Sequence, residues 1–232
     1  MGVRLVKTFN FEAAHRHPGE GKSENRIHGH RFHVHVSVQG EPDPDRGWLV
    51  DFGLIKQVVK PAIDELDHRF LNDLPGLESG LPGELENWIK NRITRDDLPG
   101  CGVRVECRET LGFFGQRCEP DPYLELPERF SFRFEAAHSL PKTPVGHKCR
   151  RLHGHSYEIG VAAPDLEFVA PSLERLFAGV DHQCLNELPG LSNPTAENLS
   201  IWAWSRLVEE SQNPTCLIVG ETCESICVYR GA

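Results

Sequence analysis

The sequence lacks a hydrophobic run long enough to cross a membrane. None of its apolar stretches approaches the roughly 18 residues of a membrane-spanning helix. The first residues, Met1 to Arg4, lead into alternating positions rather than into the apolar core of a signal peptide. We therefore expect a soluble, cytoplasmic chain with no membrane partner.

An excess of positive charge is also absent. Lysine and arginine total 25 against 34 aspartate and glutamate residues, and the net charge is −9. A nucleic-acid surface needs a basic stripe that displaces counterions from phosphates. The composition predicts no nucleic-acid partner, and it requires that any anionic substrate be met by a local basic pocket.

The eight cysteines form no recognisable disulfide framework, because their spacing does not repeat. Nothing in the sequence directs the chain to an oxidising compartment. We expect free thiols at positions 101, 107, 118, 149, 184, 216, 223 and 227.

What the sequence does contain is an internal repeat. The segment Phe9 to His15 returns almost unchanged as Phe132 to His138. Four further elements recur in the same order: His28-Gly29-His30 as His153-Gly154-His155, Asp67-His68 as Asp181-His182, residues 71–77 as 185–191, and Glu109-Thr110 as Glu221-Thr222. The spacing between the copies falls from 125 residues at His153 to 114 at His182, so the second copy has lost a net 11 residues between these motifs.

A proline- and acid-rich stretch separates the copies. Residues 120–127 can continue neither a helix nor a central strand and are typical of a linker. The predicted domains are therefore a first unit over residues 1–119 and a second unit over residues 128–232.

Hydrophobic periodicity predicts β-β-α-α-β-β in each unit. The first two segments alternate with period two, which places His15 and then His28 and His30 on the apolar faces of strands. The middle segments have helical spacing, with Leu199 to Leu207 as an example, and the closing segments alternate again. The predicted fold class is α+β with antiparallel pairing.

Three inward-facing histidines in each copy are candidate metal ligands. A lone His-x-His is weak evidence, because any i, i+2 pair shares one face of a strand. Here the same trio occurs twice among apolar residues, where polar groups need partners. Three neutral nitrogens without a fourth protein ligand are typical of an open, catalytic zinc site. We predict one Zn²⁺ on His15, His28 and His30, and a second on His138, His153 and His155.

These residues resemble a known family. The second copy is similar to bacterial 6-carboxytetrahydropterin synthase, a relative of 6-pyruvoyltetrahydropterin synthase built on the tunnelling fold, and the match spans nearly the whole chain. The motifs that carry the resemblance are residues 134–138, 146–155, 181–182, 193–197, 221–223 and 228–231. The resemblance implies two tandem tunnelling-fold units that assemble into a barrel by homo-oligomerisation, with active sites between units.

The resemblance also implies roles for individual residues. It assigns the proton-abstracting base to Cys149, a relay to His182 with Asp181, and the pterin ring to Glu221 with Thr195 nearby. Glu197 belongs to the Thr195 motif, and Glu109 repeats Glu221 in the first copy, so both are candidate substrate contacts. Without the resemblance, Asp181-His182 is read more simply as a pair that anchors the following turn.

A basic loop surrounds the predicted base. A thiol acts as a base near neutral pH only if its pKa is lowered. We expect Lys148, Arg150, Arg151 and the metal to lower the pKa of Cys149. The same loop, with Lys142 and His147, is the candidate contact for a triphosphate.

The function implied by the resemblance is a zinc-dependent lyase. It would convert 7,8-dihydroneopterin triphosphate to 6-carboxytetrahydropterin, with loss of triphosphate and acetaldehyde, for queuosine-type biosynthesis. Two alternatives stay open: formation of the pyruvoyl product from the same substrate, and a non-catalytic, zinc-bearing pterin-binding or scaffold protein.

The first copy departs from the motif. Counting back four residues from His28 gives Glu24 where the second copy has Cys149, and Leu81 and Gly83 align with Thr195 and Glu197. We predict a first unit that keeps its zinc but lacks the thiol base. If the copies alternate around a ring, the first copy's Asp67-His68 serves Cys149, whereas in a ring of like copies Asp181-His182 does.

Overall fold

The computed structural model of the chain describes residues 2–17, 25–93, 98, 100–107, 112–222 and 224–231. Its first unit contains, in chain order, β1 (Val3–His15), β2 (His28–Gly40), α1 (Phe52–Leu66), β3 (Arg69–Phe70), α2 (Pro82–Arg92) and β4 (Gly102–Cys107). The second contains β5 (Gln116–Cys118), β6 (Arg129–His138), β7 (His153–Ala162), α3 (Leu166–Val180), β8 (Gln183–Cys184), α4 (Ala196–Glu209), β9 (Cys216–Thr222) and β10 (Ser225–Tyr229).

Each unit is built on its own sheet. The first sheet has the order β3-β1-β2-β4, and the second has the order β10-β9-β7-β6-β5 with β8 beside β6. The long strands pair antiparallel, and only the two-residue strands β3 and β8 run parallel to their neighbours. Antiparallel sheets of this kind commonly bury one face and expose the other. The period-two pattern of the long strands suits such a sheet, because it gives each strand one apolar face to bury.

Helices cover the apolar face of each sheet. Asp51 caps α1 by accepting from the N–H groups of Gly53 and Leu54, and the stripe that α1 buries includes Ile55, Val59 and Ile63. The equivalent helix α3 is capped by Asp165. Two separate cores result, one under each sheet.

The α+β class and the tandem arrangement are confirmed. The second unit shows all six predicted elements, and the described residues of the first show five, up to β4. The shortening also lies where the repeat offsets place it, because residues 41–51 join β2 to α1 whereas residues 163–165 join β7 to α3. No helix in the described ranges is long and apolar enough to cross a membrane.

The boundary between the units differs from the predicted one. Strand β5 lies within the range 1–119 assigned to the first unit, yet it pairs with β6 of the second sheet. Phe113, a few residues earlier, packs against Phe132 and Phe177 of the second core. The predicted linker is also anchored, because Leu126 is 5% exposed and lies in a cluster with Ile218. The second unit thus includes residues that precede the predicted linker.

The two units meet at their His-Gly-His segments, which begin β2 and β7. A Cβ placed on Gly29 would lie 2.8 Å from the carbonyl carbon of Gly154, and a Cβ on Gly154 would lie 3.0 Å from the Gly29 nitrogen. Only glycine allows the backbones to approach this closely. This contact brings the histidine-bearing ends of both sheets together.

Candidate metal centres and catalytic groups

The second trio lies at one end of the β6–β7 pair. Antiparallel register places His138 opposite His153 and Ala136 opposite His155. All three side chains are buried. The ring centroids of His138 and His153 are 4.4 Å apart, and each lies 5.1 Å from that of His155. The Nε2 atoms of His138 and His153 are 3.0 Å apart.

Fixed partners orient each ring of this trio. His138 Nδ1 is 2.9 Å from the Pro194 carbonyl oxygen, and His153 Nδ1 is 2.7 Å from that of Arg151. His155 Nδ1 lies 3.1 Å from a carboxylate oxygen of Glu12, which belongs to the other unit. Because the Nδ1 atoms of His138 and His153 have carbonyl partners and that of His155 faces a carboxylate, the Nε2 atoms are the ones available to a shared ion. Burial lowers the pKa of His138 and of His155 to about 3, which keeps the rings neutral, the form that binds a metal.

The first trio repeats this arrangement. The centroids of His15, His28 and His30 lie 4.7 to 4.9 Å apart. His15 Nδ1 is 2.9 Å from the Gly80 carbonyl oxygen and His28 Nδ1 is 2.8 Å from that of Arg26. His30 Nδ1 lies 3.0 Å from a carboxylate oxygen of Glu135 in the second unit. Each trio therefore has, next to one of its histidines, a glutamate from the other unit.

The nitrogens of the first trio fit a metal ion. His15 and His28 are 1% and 0% exposed, and neither Nε2 atom has a hydrogen-bond partner among the described residues. Buried polar atoms are rarely left without a partner, and a bound cation would supply one. The side-chain groups whose ligand atoms lie within 4.8 Å of one another are His15–His17–His28, His15–His30–Cys107, His68–His153–His155 and His138–His155–Glu221. Both units thus contain groups that could hold a metal.

The Asp-His pairs are exchanged between the units. The His68 ring stacks on His153 with centroids 4.4 Å apart and planes 23° apart. The His182 ring lies 4.4 Å from that of His28. Each pair therefore lies at the trio of the other unit. Within one chain, the geometry brings Asp67-His68 to the second trio, and Asp181-His182, which the resemblance linked to Cys149, to the first.

Both pairs are held in an unusual backbone conformation. The φ angles of His68 and His182 are 55° and 52°, in the left-handed region that residues other than glycine rarely adopt. His68 N–H donates to the Glu12 carbonyl oxygen at 2.7 Å, and Asp67 Oδ1 accepts from Glu12 N–H at 3.1 Å. Asp67 Oδ1 also lies 2.9 Å from His68 Nδ1. Backbone strain of this kind is frequently retained at functional sites.

Asp67 also reaches the loop that carries Cys149. Lys148 Nζ donates to Asp67 Oδ2 at 2.9 Å, and Arg151 donates to the Asp67 carbonyl oxygen at 3.4 Å. Burial alone would raise the pKa of Asp67, but the hydrogen bonds from His68 and Lys148 hold that pKa below its usual range. Asp67 is therefore a carboxylate that joins His68 to the Cys149 loop.

The loop cations alone do not bring the pKa of the Cys149 thiol below its usual range. Partial burial raises the pKa of the Cys149 thiol, the nearby Glu221 carboxylate raises it further, and Lys148 and Arg151 only partly oppose them. The loop cations have other partners, because Lys148 binds Asp67 and Arg150 donates to the carbonyl oxygens of Pro141 and Thr143, each at 2.6 Å. The loop therefore supplies less positive potential at the sulfur than its composition suggests.

The predicted pterin contacts divide into two groups. Glu221 Oε1 lies 3.5 Å from His138 Nε2 and 3.8 Å from His155 Nε2, and burial raises the pKa of this carboxyl. Thr195 follows Pro194 and caps α4 by accepting from Asn198 N–H at 3.3 Å. Glu197 is exposed on the first turn of α4. The structure thus brings Glu221 to the second trio and leaves Glu197 at the surface.

Strand register shows a residue that the repeat alignment missed. Val105 pairs with Val34 in the first sheet as Val219 pairs with Ile159 in the second, so Cys107 is the counterpart of Glu221. Glu109, which the alignment matched to Glu221, lies outside the described residues, as does Glu24. Counting along the strand from Val105 would have identified Cys107. Leu81, aligned with Thr195, does occupy the N-cap position of α2, where it makes no side-chain cap.

The glutamates that reach across the junction were also missed as functional residues. Glu12 and Glu135 occupy the same place in the repeated Phe-Glu-Ala-Ala-His segment. Both are buried, at 7% and 2% exposure. A glutamate on an otherwise apolar strand end, present in both copies, was the available signal.

Comparison with known proteins gives consistent results. The sequence model of a family described as 6-pyruvoyl tetrahydropterin synthase matches residues 4–110 and 129–232. The chain is 32% identical over 124 residues to a 6-carboxy-5,6,7,8-tetrahydropterin synthase of Synechocystis, covering 50% of this chain and 96% of that protein. It is 37% identical over 100 residues to a dihydroneopterin monophosphate aldolase of Pyrococcus furiosus, covering 43% of this chain and 82% of that protein.

Solved structures were compared as well. The 6-pyruvoyl tetrahydropterin synthase of Caenorhabditis elegans aligns with 47% of this chain and 97% of its own length, at 20% identity and a TM-score of 0.37. The Plasmodium falciparum protein of the same name aligns with 99% of this chain and 98% of its own length, at 13% identity and a TM-score of 0.28.

Proposed function

Because the chain belongs to the 6-pyruvoyl tetrahydropterin synthase family, we propose that it is a zinc-dependent lyase acting on 7,8-dihydroneopterin triphosphate. The product would be 6-carboxy-5,6,7,8-tetrahydropterin, with loss of triphosphate and acetaldehyde, in queuosine-type biosynthesis. The names of curated relatives support lyase chemistry on a pterin. The observation that carries the proposal is the Asp67 carboxylate, which contacts His68 at the second trio and Lys148 beside Cys149.

His138, His153 and His155 would hold the metal. Burial keeps their imidazoles neutral, and their Nδ1 partners leave the Nε2 atoms to the ion. A bound zinc ion would lower the pKa of substrate hydroxyls and stabilise negative charge that develops next to them.

Cys149 would remove a proton from the substrate carbon next to those hydroxyls. Since burial raises the pKa of the thiol, Cys149 needs a base that takes its proton. His68 suits this role, because Asp67 holds its Nδ1 and leaves Nε2 as the proton acceptor. We therefore assign the relay to Asp67 and His68 of the first unit rather than to Asp181 and His182.

Glu221 would bind the pterin ring. A carboxylate facing the guanidine-like edge of a pterin forms paired, charge-assisted hydrogen bonds that discriminate among ring systems. Its location beside His138 and His155 would orient the substrate side chain toward the trio. Thr195 would assist Glu221 in binding the ring. It follows Pro194, whose carbonyl oxygen is the partner of His138 Nδ1.

The triphosphate would be met by the basic loop. Its candidates are Lys142, His147, Arg150 and Arg151, although Arg150 also donates to loop carbonyl oxygens and Arg151 to that of Asp67. Reversing the charge of Arg151 should raise KM for the triphosphate substrate. An unchanged KM would exclude this contact.

The direct test is identification of the product by mass spectrometry. Zinc-loaded protein should release 6-carboxytetrahydropterin, acetaldehyde and triphosphate from 7,8-dihydroneopterin triphosphate. Cys149→Ala should lower kcat by at least about 10²-fold, as expected on loss of a general base, with an unchanged circular dichroism spectrum. Release of the pyruvoyl product, cleavage of dihydroneopterin monophosphate alone, or binding without turnover would each contradict the proposal.

A further inference from the structure

The first trio has donor atoms that the second lacks. His17 and Cys107 each form a compact group with members of the first trio. The residue that corresponds to Cys107 in the second unit is Glu221, which forms the equivalent group with His138 and His155. A carboxylate proposed to bind substrate is thus replaced by a thiol that, like the carboxylate, lies within 4.8 Å of nitrogens of two histidines.

The position of Cys107 suits a metal ligand. It is the last residue of β4 and pairs with Phe32, two residues beyond His30 on β2. Its Sγ, a nitrogen of His15 and a nitrogen of His30 lie within 4.8 Å of one another. The His28 ring lies next to this group, with its centroid 4.7 Å from that of His15 and 4.8 Å from that of His30, and His28 forms a separate compact group with His15 and His17.

A second, independent observation indicates a ligand at this place. The Nε2 atoms of His15 and His28 are buried and have no hydrogen-bond partner among the described residues. Their Nδ1 atoms are already engaged by the carbonyl groups of Gly80 and Arg26. A cation among the trio would satisfy both nitrogens, and a thiolate beside it would provide the negative charge that three neutral imidazoles do not.

The surroundings of this site do not suit the proposed lyase chemistry. Leu81 takes the place of Thr195, and Cys107 takes the place of Glu221. His182 covers His28 at a centroid distance of 4.4 Å. A tetrahedral zinc with four protein ligands has no coordination position for a substrate, whereas one with three does.

We propose that the first unit holds a closed, structural metal site in which the Cys107 thiolate is the fourth ligand beside His15, His28 and His30. On binding, the thiol releases its proton to solvent as the sulfur–metal bond forms, and no oxidant or reductant takes part. The site joins β1, β2 and β4 next to the contact of the two units. The second site, with Glu221 at the same position, stays open. This inference does not depend on lyase activity, since its test measures ligand identity.

The test uses the full-length protein with its second-site thiol removed. Metal-free Cys149→Ala is loaded with two equivalents of Co²⁺, and the near-ultraviolet sulfur-to-cobalt charge-transfer band is recorded. The band should be present in Cys149→Ala and absent in Cys107→Ser. In the zinc form of Cys149→Ala, X-ray absorption should show a sulfur neighbour at about 2.3 Å, beside nitrogens at about 2.0–2.1 Å.

The controls keep the outcome decisive even if Cys107→Ser folds poorly. X-ray absorption of the zinc form of Cys149→Ala requires no change at Cys107. Absence of a sulfur neighbour of the zinc in that spectrum would overturn the proposal. His17→Asn should retain the cobalt band, because the proposed ligand set does not include His17. Loss of the band in His17→Asn with its retention in Cys107→Ser would also overturn it. Loss of turnover in Cys149→Ala affects neither result, so failure of the lyase proposal is distinguishable.

Discussion

At the scale of single residues, the main feature is the exchange of glutamates between the units. A carboxylate oxygen of Glu12 lies 3.1 Å from His155 Nδ1, and one of Glu135 lies 3.0 Å from His30 Nδ1, each across the junction. A carboxylate behind a ligating imidazole fixes the orientation of the ring and raises its basicity. Each candidate metal centre therefore has a carboxylate of the opposite unit next to one of its histidines.

Glu12→Gln and Glu135→Gln form a matched pair for this dependence. Glu12→Gln should weaken metal binding at the second trio by about 10- to 100-fold, a typical effect of losing such a support, and should raise the zinc concentration needed for half-maximal turnover. Glu135→Gln should weaken only the first trio and leave that concentration unchanged. Chelator competition and zinc-dependent turnover provide the measurements. Equal effects of the two changes on turnover would contradict the crossed arrangement.

The buried histidines also predict how pH affects the metal-free protein. Burial lowers the pKa of His28, His138 and His155 to about 3, whereas the unfolded chain protonates near 6.5. Below about pH 6.5 the unfolded state thus binds more protons, and each such histidine destabilises the fold by up to about 1.4 kcal/mol per pH unit. Glu12 acts in the opposite sense, because burial raises its pKa to about 7.

The histidines outnumber this carboxyl, so the urea midpoint of the metal-free protein should fall between pH 7 and pH 5. Equilibrium unfolding at both pH values, with chelator present, is the measurement. A urea midpoint that is higher at pH 5 than at pH 7 would show that the trios are protonated in the folded state.

At the scale of elements, the close glycine contact fixes how the two sheets meet. Gly29 and Gly154 begin β2 and β7 beside the ligating histidines, and their backbones leave no room for a Cβ. The stack of His68 on His153 lies at the same junction. The glycine contact therefore sets how close the two histidine trios lie to each other.

Gly29→Ala tests this contact. The added methyl group overlaps backbone atoms of Gly154, so we expect a loss of at least about 1–3 kcal/mol of stability, as for other overpacked sites, together with lower turnover. The matched control is Gly179→Ala in α3, where a Cβ meets no atom within 4 Å. This control should be neutral or stabilising by up to about 1 kcal/mol. Urea unfolding of both variants provides the comparison, and equal stabilities would contradict the role of the junction.

The elements themselves were largely predictable from the sequence. Period-two spacing correctly placed His15, His28 and His30 on inward faces, because alternation is a local property of a strand. Strand β5 was not predictable, since its pairing with β6 depends on tertiary contacts of Phe113. Cys107 was missed because its position depends on strand register, in which Val105 pairs with Val34 as Val219 pairs with Ile159, two residues before Cys107 and Glu221 respectively. The sequence also could not decide which Asp-His pair serves Cys149. That choice depends on how the two units pack and not on the pattern within either unit.

At the scale of the whole molecule, one chain contains both histidine trios and both Asp-His pairs, and each pair lies at the trio of the other unit. The sheets also have edges that the chain does not cover: among the described residues, β4 pairs only with β2, and β10 pairs only with β9. Exposed edges are templates for pairing with other chains. A barrel closed by further copies therefore remains our prediction.

Sedimentation velocity of the zinc-loaded protein tests that prediction. The expected species is a defined homo-oligomer whose mass is a multiple of the 26.1 kDa chain. A monomer across the accessible concentration range would contradict it.

Addition of chelator should lower the thermal midpoint, because an ion that binds only the folded state stabilises it.

The central claim is that the second trio is completed by the Asp-His pair of the first unit. The most direct test compares kcat for 7,8-dihydroneopterin triphosphate in zinc-loaded His68→Ala and His182→Ala. The crossed arrangement predicts a fall of at least about 10²-fold in His68→Ala, as for loss of an acid–base group, and a change of less than about 10-fold in His182→Ala. A full loss in His182→Ala with turnover retained in His68→Ala would contradict it.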